Sequence, residues 1–161
     1  MNEECIPIIE IQNKYNLNKK ELLVLASESG IFLTEQDDKI CGKNELFYKN
    51  IEAYVGSRKH VEENNIVMMN IERAKIFSML DYTVIPYSGK AFVTNKYKRV
   101  SSADLKYIVD SKDREKVMLF LNKYYLVPNN IYEKILQQKR KEKTRSKTFV
   151  IDVNSILYDD E

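Results

Sequence analysis

One histidine, two cysteines, four glycines, three prolines and no tryptophan among 161 residues remove most catalytic and metal-binding chemistry at the outset. His60, Cys5 and Cys41 show neither a CxxC nor an HxxxH spacing, so no metal centre or thiol dyad is expected. Gly42-Lys43 lacks the glycine loop before it and the Ser or Thr after it that a phosphate cradle requires. Asp37-Asp38 and Asp159-Asp160 are neighbours in polar surroundings, and adjacent side chains need not converge on one reacting atom. The expectation is therefore a protein with no enzymatic activity, no cofactor and no metal. No apolar run approaches the roughly 20 residues of a membrane span, and the first residues, MNEECIPIIEIQNKYN, open acidic, so no membrane helix, signal peptide or transit peptide is expected. The wide separation of Cys5 and Cys41, without the dense spacing of a stapled secreted domain, argues for a reducing compartment and a cytoplasmic location.

What is present describes an ordinary globular chain: 43% hydrophobic and 31% charged residues, enough for one compact domain or two small ones. The net charge of +2 hides a separation. Residues 1–64 hold 8 Lys/Arg against 12 Asp/Glu, residues 65–148 hold 18 against 8, and residues 149–161 hold none against 4. The middle segment thus carries a surplus of ten positive charges, a field that attracts polyanions. The bases cluster twice, first as Lys90, Lys96, Lys98 and Arg99 around Tyr97, then as Lys139, Arg140, Lys141, Lys143, Arg145 and Lys147.

Periodicity supplies the elements. Pro7 opens a short amphipathic helix with Ile8, Ile11 and Tyr15 inward. Asn18 and Glu21 form a capping box for a second helix, KKELLVLASES, which Gly30 ends. Ile31, Phe32 and Leu33 read as a short buried strand, and NELFYKNIEAYVGSRKH as a helix that Gly56 stops. IVMMNIERAKIFSMLDY reads as one helix from Ile66, and TVIPYSGKAFVTNKYKRV as two or three antiparallel strands with turns at Ser88-Gly89 and Asn95-Lys96. Ser101 and Asp104 cap SADLKYIVDS, with Leu105, Ile108 and Val109 inward. DREKVMLFLNKYY predicts a core helix broken by Pro128, Asn130 and Glu133 cap IYEKILQQKRKEK, and TFVIDVNSILY predicts a strand. The fold class is α+β, mainly helical, with short antiparallel hairpins. Its divisions are 1–57, a linker at 58–65, a basic module at 66–148 and an acidic tail or strand at 149–161. LASESGIFL with KNELFYKNIEAYV can be laid beside SMLDYTVIPY with KRVSSADLKYIV, which leaves open that the two modules are related.

The stretch IIEIQNKYNLNKKELLVLASESGIFL…KNELFYKNIEAYV resembles the winged helix-turn-helix of the MerR and excisionase families: helix, turn, helix, glycine, strand, wing, capped helix. The resemblance implies that the second helix reads bases and the wing holds phosphates, assigning Asn18, Lys19, Lys20 and Lys43 to DNA. The sequence departs from it at TEQDDKICGK, where Glu35, Asp37 and Asp38 occupy a wing that is basic in the family. The second half meets the electrostatic requirement better, since a hairpin SGKAFVTNKYKRVSS would hold Lys90, Lys96, Tyr97, Lys98 and Arg99 on a projecting wing. The expected function is a DNA-binding regulator or accessory protein, of a size that suits a phage or mobile element. It would contact duplex phosphates through these residues and Lys139–Lys147. The alternative is an interaction or inhibitor protein that offers Glu35, Asp37, Asp38, Glu62 and Glu63 to another protein as a phosphate mimic.

Overall fold

A computed structural model describes the backbone of residues 4–157 and the side chains of residues 4–144; the end of the expected acidic tail, 158–161, with Asp159, Asp160 and Glu161, lies outside the described residues. The fold is mixed α+β with short antiparallel sheets, as the composition and periodicity predict. The chain divides into two compact units, Met1–Asn95 and Lys96–Glu161. No helix among the described residues is long and apolar enough to cross a membrane.

Unit 1 begins with strand β1 (Cys5–Pro7), followed by α1 (Ile8–Tyr15) and α2 (Lys19–Glu28). The turn between the helices uses Asn16 in the left-handed region, with φ 55°, and buries Leu17. The capping box forms as the sequence predicts. The Asn18 side chain accepts from the Glu21 backbone N–H at 2.7 Å, and the Asn18 N–H donates to Glu21 Oε1 at 2.9 Å. Gly30, at φ 79°, closes α2, with the Ile31 N–H donating to the Ala26 carbonyl at 2.9 Å. That closure explains why Ile31–Leu33 is not a strand. Its first backbone donor is spent on the helix end, and Phe32 stands fully exposed at 101%.

The segment between α2 and the next helix supplies one strand, β2 (Lys39–Cys41), and its partner is β1. The two strands of a wing are therefore absent at this position. Cys5 and Cys41 face each other in this ladder and are joined by a disulfide. The spacing argument for a reducing compartment thus loses its premise: sequence distance concealed a cross-strand pair.

Helix α3 (Glu45–Glu63) runs through Gly56 and through most of the expected linker. An exposed glycine costs a helix only about 1 kcal/mol relative to alanine, and beyond it Ser57 and Val61 continue the buried face. Strand β3 (Val67–Asn70) precedes α4 (Ile71–Ser78), so the expected single helix from Ile66 is divided. The Asn70 side chain accepts from the Arg73 N–H at 2.8 Å, which starts a helix at Ile71 and frees Val67 and Met69 to pair with Val93 and Ala91. Strands β4 (Thr83–Tyr87) and β5 (Lys90–Thr94) form a hairpin through Ser88 and Gly89, both at positive φ, the geometry that matches strand twist in a two-residue turn. The sheet order is β3–β5–β4. Leu22, Leu25, Phe47, Ile51, Tyr54, Phe77 and Val93 are at the centre of this unit's core.

Unit 2 contains β6 (Tyr97–Val100), a 3-10 helix (Ser102–Tyr107), α5 (Ser111–Arg114), β7 (Met118–Phe120), β8 (Tyr124–Pro128) and α6 (Asn129–Leu157). The strands are antiparallel in the order β6–β8–β7. DREKVMLFLNKYY is thus a short helix and a hairpin, not a core helix. Its apolar residues are continuous enough for either reading, and the pairs Met118–Leu126, Leu119–Tyr125 and Phe120–Tyr124 settle it as a sheet. Pro128 ends a strand instead of a helix, and of the expected strand TFVIDVNSILY the described residues, 148–157, continue α6. Ser101 caps the 3-10 helix as expected, accepting from the Asp104 N–H at 3.2 Å. Ile108 is buried, whereas Val109, predicted inward, is exposed. Val100, Ile108, Val127, Ile131 and Ile135 form the core of this unit.

Candidate nucleic-acid interface

The expected basic wing SGKAFVTNKYKRVSS does not form as one hairpin. Strand β5 pairs with β3 and β4, whereas β6 pairs with β8, so Lys90 belongs to unit 1 and Lys96, Tyr97, Lys98 and Arg99 belong to unit 2. Lys96, Tyr97 and Lys98 are half-buried, while Arg99 is exposed.

In unit 2 the register of the sheet creates a different cluster. Arg99 lies opposite Leu126, and Tyr124, two residues earlier on β8, shares that face because strand side chains alternate. The Arg99 guanidinium stands 4.4 Å from the Tyr124 ring centroid, and Lys123 Nζ lies 5.3 Å from the same ring. With Ser101, Ser102 and Tyr125, these residues line a cleft of about 320 Å³. A guanidinium offers a planar fork of donors that matches phosphate, a lysine adds a point charge, and serine hydroxyls add neutral donors. The tyrosine presents an aromatic surface on which a sugar or base can pack. Lys123 and Tyr124 escape the sequence reading because DREKVMLFLNKYY looks helical there; the Asn122-Lys123 pair was the local signal of a turn.

Helix α6 presents the second basic group. Ile131 and Ile135 face inward, and Arg140, Lys141 and Lys143 are exposed. Lys139 leans back on Asp104 at 3.2 Å, and Lys134 on Asp113 at 3.0 Å, so part of the cationic surplus neutralises carboxylates within the unit. The side chains of Arg145 and Lys147 lie outside the described ones.

The four N-terminal candidates occupy other roles. Asn18 is committed to its helix cap. Lys19 Nζ donates to the Asp37 carbonyl at 2.9 Å, and Lys20 pairs with Asp81 at 3.7 Å across an exposed surface. Lys43 is exposed just before α3. Of the acidic residues considered as a phosphate mimic, Asp37 accepts from the Thr34 N–H at 2.7 Å, and Glu62 lies 4.0 Å from Arg58. Glu35, Asp38 and Glu63 are exposed.

The most perturbed titratable groups lie in the core of unit 1. Tyr54 donates to Glu21 Oε2, and Arg58 Nη1 donates to the same oxygen at 2.9 Å. Burial pushes the Glu21 carboxyl up. The bonds from Tyr54, the Asn18 backbone and Arg58 outweigh that effect and leave it below its ordinary value. Burial, followed by the neighbouring Glu21, drives the Tyr54 hydroxyl far above the normal tyrosine range. The trio is tied further to the Asn18 N–H and to the Tyr15 and Asn16 carbonyls, so its polar groups are satisfied within the fold, which is the pattern of a structural network. Among the described residues no group of three His, Cys, Asp or Glu could hold a metal ion.

Comparison of the chain with family models, with curated proteins and with solved structures finds no match.

Proposed function

We propose that this protein binds duplex DNA through unit 2, with Arg99 and Lys123 on phosphates beside Tyr124, and with Arg140, Lys141 and Lys143 extending the contact along α6. The observation that carries the reading is the convergence of Arg99 and Lys123 on one aromatic ring within a hydroxyl-lined cleft. A phosphate placed in that cleft would gain from both charges. The exposed basic turns of α6 are also compatible with a major groove wide enough to admit a helix. The role we propose for that binding is regulatory or accessory.

Titrating a short fluorescent duplex across a salt series tests this. Phosphate neutralisation gives a log–log salt slope near −0.9 per contact, so contacts by these five cations would weaken binding about 500-fold between 50 and 200 mM salt. Replacing Arg99 and Lys123 with alanine together should lower the slope by about two and weaken binding at least tenfold. Absence of binding at low salt, or an unchanged slope in that double variant, refutes the proposal. A protein partner held through the acidic residues of unit 1 would then be the remaining reading.

A further inference from the structure

We infer that Leu121, at the tip of the β7–β8 hairpin, is an apolar wedge that enters between base steps of the bound duplex and bends it. The inference rests on the duplex-binding reading above. Its starting point is a residue that local folding does not favour.

The hairpin turns through Leu121 at φ 56° and Asn122 at φ 52°, with the Lys123 N–H donating to the Phe120 carbonyl at 3.1 Å. A turn with two consecutive left-handed residues favours Asn, Asp or Gly at both positions. Asn122 meets that preference. Leu121 does not, because its side chain crowds the backbone in the left-handed region. Leu121 is also 38% exposed, and Leu119 on the same hairpin is 50% exposed. Neither belongs to the unit's core. Backbone strain combined with apolar exposure at one tip gives no folding advantage, and strain of this kind concentrates where a segment acts on a ligand.

The surroundings indicate which ligand. Lys123 follows the tip directly, Arg99 and Lys123 share the Tyr124 ring, and Lys116 stands exposed two residues before β7. An apolar point backed by cations complements a polyanion whose interior is apolar. A stacked duplex has that construction, with phosphates outside and base faces within. Leucine is among the side chains that can part a base step, and the cost of unstacking is offset by the additional contact that a bent duplex makes.

A duplex carrying a donor and an acceptor dye at its two ends provides the test, with the full-length chain at low salt. Wild type should raise energy transfer on binding as the ends approach. Leu121→Asn removes the wedge and suits the left-handed position, so it should fold normally and keep its affinity within about threefold, since the cations remain. It should lose most of the transfer change. Leu121→Met should retain that change. Binding by wild type with no change in transfer overturns the inference and leaves the duplex-binding proposal standing. So does a Leu121→Asn protein that bends the duplex like wild type. Wild type that binds no duplex at all defeats both.

Discussion

The two units differ in how their cations are grouped: in unit 2 Arg99 and Lys123 meet on one ring and Arg140, Lys141 and Lys143 follow one another on one helix. In unit 1, four cations are engaged within the fold, Arg58 with Glu21, Lys19 with the Asp37 carbonyl, Lys20 with Asp81 and Lys75 with Glu28, while Lys14, Lys39, Lys43, Lys49, Lys59, Arg73 and Lys90 stand exposed. In unit 2, Lys134 and Lys139 are paired in this way, but Arg99, Lys123, Arg140, Lys141 and Lys143 stand exposed. Their hydrophobic resources differ too. Unit 1 has an extensive core plus a disulfide, whereas unit 2 relies on a small aliphatic cluster under a three-stranded sheet. The contrast shows that a total of basic residues says little about ligand binding until each cation is assigned to an internal partner or to the surface.

The largest effect should come from breaking the buried trio of unit 1. Arg58→Ala leaves Glu21 and its charge without a main partner, and loss of one member of a buried ion pair costs roughly 3 to 5 kcal/mol. Chemical denaturation would measure it. The pH dependence follows in sign. Glu21 titrates lower in the folded state than its ordinary 4.5, so its contribution is complete above about that pH and is lost as the pH falls below it through the folded-state value. In Arg58→Ala, burial is less opposed, and this acid-side loss should flatten. A melting series from neutral pH to pH 3 would reveal both behaviours.

Next in size is the disulfide. Its cysteines are separated by 36 residues in sequence, and closing a loop of that length removes about 3 to 4 kcal/mol of unfolded-state entropy on the chain-entropy account. Reduction, or Cys5→Ser with Cys41→Ser, should therefore lower hydrogen-exchange protection in β1, β2 and α1. Protection in β6–β8 should not change. Equal losses in both units would erase the distinction between them.

The smallest effect sharpens the electrostatic half of the contrast. Lys20→Ala and Lys141→Ala should each alter stability by less than about 0.5 kcal/mol, since exposed charges contribute little. Only Lys141→Ala should weaken duplex binding and reduce its salt slope, by about one phosphate contact. If the two variants weakened binding equally, unit 1 would share the interface.

Local signals were legible where a single residue fixes a terminus or a turn. Asn18 with Glu21, Gly30, Ser88-Gly89 and Ser101 with Asp104 all act as the sequence implies. Signals failed where the partner is distant. VMMN looks like the first turn of a helix until Asn70 caps the next segment and β5 claims it, and MLFLNKYYLV has an apolar density that suits a helix as well as a sheet. Cys5 and Cys41 gave no sequence cue because their proximity is set by the β1–β2 register. The same limit applies to the candidate interface. Arg99 and the α6 bases were visible as a charge cluster, but Lys123 and Tyr124 join Arg99 only through the pairing of β6 with β8.

Arg58 does more than neutralise Glu21. Its guanidinium also donates to the Asn16 carbonyl at 2.8 Å and to the Tyr15 carbonyl at 3.2 Å, while Glu21 caps the helix that begins immediately afterwards. One side chain from α3 therefore rivets the corner between α1 and α2. That corner cannot pivot to accommodate a ligand without uncovering a charge, so anything that docks on these two helices must accept their angle as it stands.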